Sequence, residues 1–317
     1  MEWLYFFEGV RSQGLTAAFT FFSWFGETFM VLGIILAVLW FVDKHKAYRL
    51  AAAFFLTALI CHTLKITFRI DRPWIIDPSF SPLPGAVGSA TGYSFPSGHT
   101  QGAATLYTAL AFELYYLKKW KWQIPVAALL IAGVGTARMY AGVHTPLDVF
   151  TALGISLLFT AGYYLLTRKR FENPETLCGF SPSRDLTISL CLALASLGVI
   201  IYSLVLDAKG LITVVNGVSN VKDSLVIAGS CLGFAIGRYV DLRWLRHDWR
   251  AADKVWIWLA EMAIGGGTAF GILEGMKLFV GSSMPTQPIR YCLTVVWIMV
   301  FYPMILRKVR KNYCKEK

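Results

Sequence analysis

Three short segments of this 317-residue chain set charged and hydrogen-bonding side chains beside long apolar runs. The first is Lys65-Ile-Thr-Phe-Arg-Ile-Asp-Arg72-Pro73 and the second is Pro96-Ser97-Gly98-His99. The third spreads Arg138, His144 and Asp148 across the end of one apolar run and the start of the next. Lys65, Arg72 and Arg138 supply three cations, which repel one another unless an anion lies between them. Arginine matches two phosphate oxygens at once, and lysine acts as a point charge. Ser97, Gly98 and His99 fall at a predicted helix start, where free backbone N–H groups favour an anion. Gly98 lets backbone approach closely, and Ser97 is a good N-cap whose hydroxyl could also donate. A phosphate dianion is the natural occupant.

The two histidines supply reactive groups. Asp148 follows His144 by four residues, and Pro146 suits a first helical turn, so the carboxylate can fold back onto the ring. A carboxylate on one ring nitrogen fixes the tautomer and leaves the other nitrogen free to attack phosphorus. His99 titrates near neutrality and suits the acid that protonates the leaving oxygen, then the base that activates water. Each segment alone says little. A Lys-x6-Arg-Pro at a helix end is ordinarily an interface anchor, and Pro-Ser-Gly-His a turn with a cap. Their combination, at one end of several apolar runs, is what points to chemistry. His62, one helical turn before Lys65, reads as a packing residue in preference to a supporting one.

The elements that must carry these residues are membrane spans. The chain is 56% hydrophobic and 15% charged, with mean hydropathy +0.54, too apolar for a soluble domain of this length. Apolar runs such as Leu15–Val42 and Ala47–Phe68 match the thickness of a bilayer. The expected fold is an all-α, polytopic integral membrane helical bundle of about nine transmembrane helices. These fall near 27–42, 47–68, 98–117, 123–142, 145–167, 186–206, 222–240, 254–279 and 288–307. The expected organisation is an interfacial N-terminal segment over 1–26, a catalytic membrane core over 27–167, and additional C-terminal transmembrane helices over 168–317. No cleavable signal peptide stands out. The loop from Arg69 to Gly98, rich in proline and glycine, cannot be helical throughout.

Net charge is +11, but the cations cluster in loops on one side of the predicted spans. Lys44, Lys46 and Arg49, then Lys118, Lys119 and Lys121, then Arg168, Lys169 and Arg170, and later Arg250, Lys254, Lys315 and Lys317 share that side. This is the signature of a cytoplasmic face and not of nucleic-acid binding. It puts the C-terminus inside and the three reactive segments at the outer face. The six cysteines, Cys178 and Cys314 among them, contain no CxxC and suggest neither a disulfide framework nor a zinc site. Glycines at 229, 233 and 237, and again at 267, 271 and 275, line helix faces for close packing, with a homodimer contact or a substrate groove as the alternatives. Glu261 and Glu274 are charges within a span and call for partners.

These motifs resemble the type-2 phosphatidic-acid phosphatase superfamily, which also includes glucose-6-phosphatase and the vanadium haloperoxidases. Its pattern is Lys-x6-Arg-Pro, then Pro-Ser-Gly-His, then Ser-Arg-x5-His-x3-Asp. Here these are Lys65, Arg72 and Pro73; Pro96 to His99; and Arg138, His144 and Asp148. The resemblance implies His144 as nucleophile, Asp148 as its partner and His99 as acid. It implies Lys65, Arg72, Ser97, Gly98 and Arg138 as phosphate ligands, with no cofactor or metal ion. The chain departs at Ala137, where the pattern has serine. The expected substrate is a lipid phosphate or diphosphate: phosphatidic acid, phosphatidylglycerophosphate, an isoprenyl diphosphate or a phosphorylated sphingoid base. A sugar phosphate, lipid-to-lipid phosphotransfer, and a non-catalytic lipid transporter or scaffold are the competing readings. The expected setting is a bacterial plasma membrane, with the active site extracytoplasmic.

Overall fold

The structure, a computed structural model, describes residues 1–118, 121–167, 182–215, 218–246 and 255–313. The cations expected at Lys119, Arg168–Arg170, Arg250, Lys254, Lys315 and Lys317, and the cysteines Cys178 and Cys314, lie outside these residues. Local signals set the first helices. After α1 (Glu2–Gly9), Ser12 caps α2 (Gln13–Trp24) by accepting from the Leu15 amide. α3 (Thr28–Phe41) follows, and Asp43 caps α4 (Lys44–Phe68) through the Lys46 amide. α4 ends where Arg69 takes a left-handed conformation, φ 53°. The proline-rich loop holds only two single turns, α5 (Pro73–Ile76) and α6 (Pro84–Val87).

Long helices resume with α7 (Gly98–Lys118), α8 (Gln123–Tyr140), α9 (Pro146–Thr167), α10 (Pro182–Ala208) and α11 (Lys222–Val240). They continue with α12 (Val255–Val280), α13 (Thr286–Val296) and α14 (Tyr302–Tyr313), the last two joined through a π-helical turn, Trp297–Phe301. Among the described residues the one strand pair is antiparallel, Val214–Val215 on Val218–Ser219.

Every expected span corresponds to a helix. Seven spans are long and apolar enough to cross a membrane by themselves, or eight if α2 and α3, bent by 44°, count as one. The remaining case is α7. Its Gln101, Thr105 and Glu113 lower its hydropathy, yet all three are buried and hydrogen-bonded inside the bundle. Polar groups at membrane depth are tolerated when they face protein and find partners. The chain is therefore an all-α, multi-pass membrane protein.

α4 is the axle of the bundle, packing against α3, α7, α9, α10 and α11. Its small buried residues, Ala47, Ala51, Ala52, Ala53 and Ala58, let neighbours approach closely. Arg49 on α4 donates through Nε and Nη2 to both Glu113 carboxylate oxygens on α7, at 2.7 Å each, and Tyr164 of α9 donates to the same carboxylate. Gln101 and Thr105 meet Thr57 at 2.8 Å each.

The glycine ladder of α11 has its partner within the chain. A methyl group added at Gly229 or Gly233 would come within 2.4 Å of the Pro288 or Cys292 carbonyl oxygen of α13. At Gly237 it would come within 2.7 Å of Met299. The α11 ladder thus serves packing and is not free for a dimer contact. Gly267, Gly271 and Gly275 of α12 have nothing within 4 Å among the described residues. Glu274 pairs with Lys277 on the same helix.

The N-terminal segment also reaches the bundle. Tyr5 donates to Asp77 at 2.9 Å, and Arg11 donates to the Ser81 carbonyl at 2.6 Å, holding the long loop. α2 lies along α8: Phe22 fills the space beside Gly133, and Thr16 bonds Tyr140. The kink after α2 sets Ser23, Gly26 and Glu27 at the end of the bundle where α4 and α8 finish and α7 and α9 begin.

Candidate active site

The three cations expected to hold phosphate, Lys65, Arg72 and Arg138, are all buried. Three consecutive carbonyls of the loop before α7 hold two of them. Thr91 and Gly92 accept from Nη2 and Nε of Arg72 at 2.6 and 3.1 Å, and Tyr93 accepts from Nζ of Lys65 at 2.9 Å. This loop is fixed from the other side by the C-terminal helices. Thr91 donates to Asp223 at the start of α11, at 2.6 Å, and the Tyr93 hydroxyl accepts from the Thr213 amide at 3.0 Å. Arg138 differs. Its Nη1 donates to Ser23, but its buried Nε and Nη2 have no partner among the described residues. Such donors are costly to bury unless an acceptor joins them, and a planar fork suits phosphate oxygens.

His144 lies in the turn between α8 and α9, made tight by Gly142 at φ 74°, where a Cβ would strike Phe80. Thr145 and Asp148 cap α9 reciprocally: the Asp148 carboxylate accepts from the Thr145 amide at 2.7 Å, and Thr145 Oγ1 accepts from the Asp148 amide at 3.3 Å. The same carboxylate oxygen accepts from Ser94 at 2.6 Å and stands 3.4 Å from Nδ1 of His144. Nε2 of His144 is 2.9 Å from Nη1 of Arg72, a group that only donates. Nε2 is therefore the acceptor, and the proton sits on Nδ1 facing Asp148. Burial first, and then the charges of Arg72, Arg138 and Lys65, hold the His144 imidazole well below its ordinary pKa. The Nε2 lone pair of this ring faces the Arg72 guanidinium.

Ser97 takes the N-cap position of α7. Its hydroxyl accepts from Thr100, and its amide donates to the Asp148 carbonyl at 3.1 Å, tying the second motif to the third. Gly98 and His99 line a cavity of about 290 Å³ with Lys65, Arg72, Arg138 and His144. Nε2 of His99 lies 3.0 Å from Oε1 of Glu27, within ion-pair distance though the N–H is not aimed straight at the oxygen. The cavity also has an apolar wall, with Val31 of α3, Phe54 of α4 and Ile227 of α11. A larger apolar cavity of about 680 Å³ between α7, α8 and α9 contains none of the reactive side chains, so chemistry places the site in the smaller one.

All eight sequence-predicted residues thus converge on one end of the bundle. Sequence reasoning missed Glu27, Ser23, Ser94, Thr91 and Asp223. Glu27 begins an apolar run and reads as an ordinary helix cap. Asp223 lies 75 residues beyond Asp148, outside every motif.

A helical membrane bundle that gathers two histidines, a carboxylate and three cations at one end defines a class of phosphate-handling membrane proteins. The chain belongs to the PAP2 superfamily: residues 46–172 match that superfamily, and residues 225–313 match the PAP2 superfamily phosphatase transmembrane extension. It is 33% identical over 126 residues to phosphatidylglycerophosphatase B of Bacillus subtilis (strain 168), a match covering 37% of this chain and 60% of that relative's length. Among solved structures it is similar to Aquifex aeolicus LpxE, at 26% identity and TM-score 0.45, covering 52% of this chain and 93% of that one. It is also similar to the first transmembrane PAP2 type phosphatidylglycerolphosphate phosphatase from Bacillus subtilis. There identity is 22% and TM-score 0.47, over 53% of this chain and 84% of that one.

Proposed function

We propose that this protein is a membrane phosphatase that hydrolyses a lipid phosphate or diphosphate through a phosphohistidine at His144. The observation that carries this reading is the placement of His144 between Asp148 and Arg72, in a pocket where Nε and Nη2 of Arg138 have no partner among the described residues. Nε2 of His144 attacks phosphorus as the bond to the leaving oxygen breaks, and His99 gives that oxygen its proton. Asp148 stabilises the imidazolium character that develops at Nδ1. Lys65, Arg72, Arg138 and the backbone at Gly98 neutralise the equatorial oxygens, and such preorganised charge is the main source of rate in phosphoryl transfer. Water then attacks phosphohistidine, His99 takes its proton, and inorganic phosphate leaves. The site residues provide all the required charge, so the reaction is expected to proceed in EDTA.

A lipid substrate is supported by the pocket's position at the end of membrane spans and by the apolar wall of Val31, Phe54 and Ile227 beside the cations. The name of the Bacillus subtilis relative that is 33% identical, phosphatidylglycerophosphatase B, points the same way. The asymmetry of loop cations favours an extracytoplasmic active site in a bacterial plasma membrane, with the C-terminus inside. A soluble sugar phosphate remains the second reading, because the same cations and histidines would serve it.

Purified protein in detergent, with EDTA, should release phosphate from at least one of phosphatidic acid, phosphatidylglycerophosphate, undecaprenyl diphosphate and sphingosine phosphate. His144→Ala should abolish that release. Activity on glucose 6-phosphate alone would transfer the assignment to sugar phosphates. No release from any of them by folded protein would overturn the phosphatase reading.

A further inference from the structure

Glu27 is the carboxylate that faces His99, and no motif contains it. The charged and titratable groups around His99 come from four places. These are Glu27 at the start of α3, Arg138 on α8, Arg72 beyond α4, and His144 between α8 and α9. Two of them are arginines, and the ring is largely shut from solvent. An imidazole set among cations needs an opposing charge beside it if it is to carry the extra proton that makes it an effective acid for a leaving oxygen. Glu27 is the one opposing charge within 4 Å of the ring among the described residues, its Oε1 3.0 Å from Nε2.

A second observation shows that this contact is built into the backbone. Gly26 sits in the bend between α2 and α3, and a Cβ there would lie 2.9 Å from the His99 carbonyl oxygen and 2.6 Å from Val134. Only a residue without a side chain lets the bend press this closely on the first turn of α7. The bend thereby delivers Glu27 to the ring. Glu27 also lines the same cavity as His99, Arg138 and His144.

We propose that Glu27 is the positioning residue for the general acid: it orients His99 and keeps its proton in place for the leaving group. This rests on the phosphatase reading. A carboxylate in a phosphate pocket would otherwise repel the substrate, so its presence calls for a compensating role. Paired with protonated His99, it leaves the dianion facing Lys65, Arg72 and Arg138. Once His99 has given up its proton, the carboxylate favours its recovery from the attacking water.

The test compares Glu27→Gln with wild type on two substrates, phosphatidic acid and p-nitrophenyl phosphate, across pH. Phosphatidic acid has a poor alkoxide leaving group and needs the acid, whereas p-nitrophenolate leaves without much help. On phosphatidic acid kcat should fall about 100-fold, the scale of general acid catalysis, with KM changed by less than about 3-fold. The alkaline limb of kcat should move to lower pH by about one unit. The loss on p-nitrophenyl phosphate should be about tenfold smaller than on phosphatidic acid, because that step leans less on the proton. Glu27→Asp, which keeps the charge, should retain the limb. If Glu27→Gln does not fold, Glu27→Asp carries the test, with a larger loss on phosphatidic acid than on the aryl ester. Equal losses on both substrates with an unmoved limb, or no loss at all, would overturn the proposal. Where another of the lipid phosphates proves to be the substrate, it replaces phosphatidic acid; failure of wild type on all of them and on the aryl ester would instead overturn the phosphatase reading beneath the proposal.

Discussion

Nη1 of Arg72 stands 2.9 Å from Nε2 of His144 and also donates to the Val143 carbonyl at 2.9 Å. One guanidinium therefore holds both the backbone just before His144 and Nε2 of its ring. Its other nitrogens are bound by the Thr91 and Gly92 carbonyls. His144, Arg72 and the loop are a single hydrogen-bonded unit, so any group that approaches Nε2 does so alongside a positive charge.

The pH dependence follows from His144. Its folded-state pKa lies below the usual value near 6.5 because of burial and the surrounding cations. The nucleophile is therefore already neutral at pH 6.5, and protonates only at lower pH. The acid limb of kcat/KM, corrected for the second ionisation of the substrate, should fall below pH 6.5. The same depression makes folding stability present above pH 6.5 and lost as pH falls below it. A limb at or above pH 6.5 would contradict the buried, cation-facing ring.

Asp223 links the C-terminal helices to the loop that holds Arg72 and Lys65, through Thr91. Asp223→Asn should loosen the carbonyls that orient Arg72 and Lys65 without touching His144. The expected result is a rise in KM of about 5- to 20-fold, on the order of one hydrogen bond to a charged group, with kcat falling less. Steady-state kinetics in detergent reads this directly.

The Arg49–Glu113 fork is buried far from the cavity, between α4 and α7. Glu113→Ala removes both hydrogen bonds of this fork at membrane depth, and removing one member of a buried pair costs about 3–5 kcal/mol. Thermal unfolding should shift down clearly, while protein that remains folded should keep a near-normal KM.

The two glycine ladders should respond differently to added bulk. Gly233→Val places a side chain against the Cys292 carbonyl and Val295, and overpacking of this kind costs about 1–3 kcal/mol or more. A Cβ at Gly271 meets nothing within 4 Å among the described residues, so Gly271→Val should be tolerated in the isolated chain. Detergent thermostability of the two variants checks the contrast.

The helices were legible because about 20 apolar residues in a row have one stable answer in a bilayer. Lys65, Arg72, His99, Arg138, His144 and Asp148 were legible because cations and histidines at such positions need a reason. The partner of the α11 glycines was not, since spacing shows that a face is smooth but not what lies on it. Glu27 and Asp223 were hidden for a related cause. Each is a carboxylate near a helix start, where capping is the ordinary role, and only the packing of α2 on α8 and the tie from α11 to Thr91 give them another. Ser97 was legible as an N-cap, and its hydroxyl is engaged in that role by Thr100.

The most direct measurement is to trap the phosphoenzyme. Wild-type protein mixed with 32P-labelled phosphatidic acid, or whichever lipid phosphate proves active, should be quenched in alkali within a turnover and digested for peptide mapping. The expected result is label that survives alkali but not acid, on the peptide bearing His144, and none with His144→Ala. Label on another residue, or phosphate release by His144→Ala at the wild-type rate, would contradict the assignment of His144 as nucleophile.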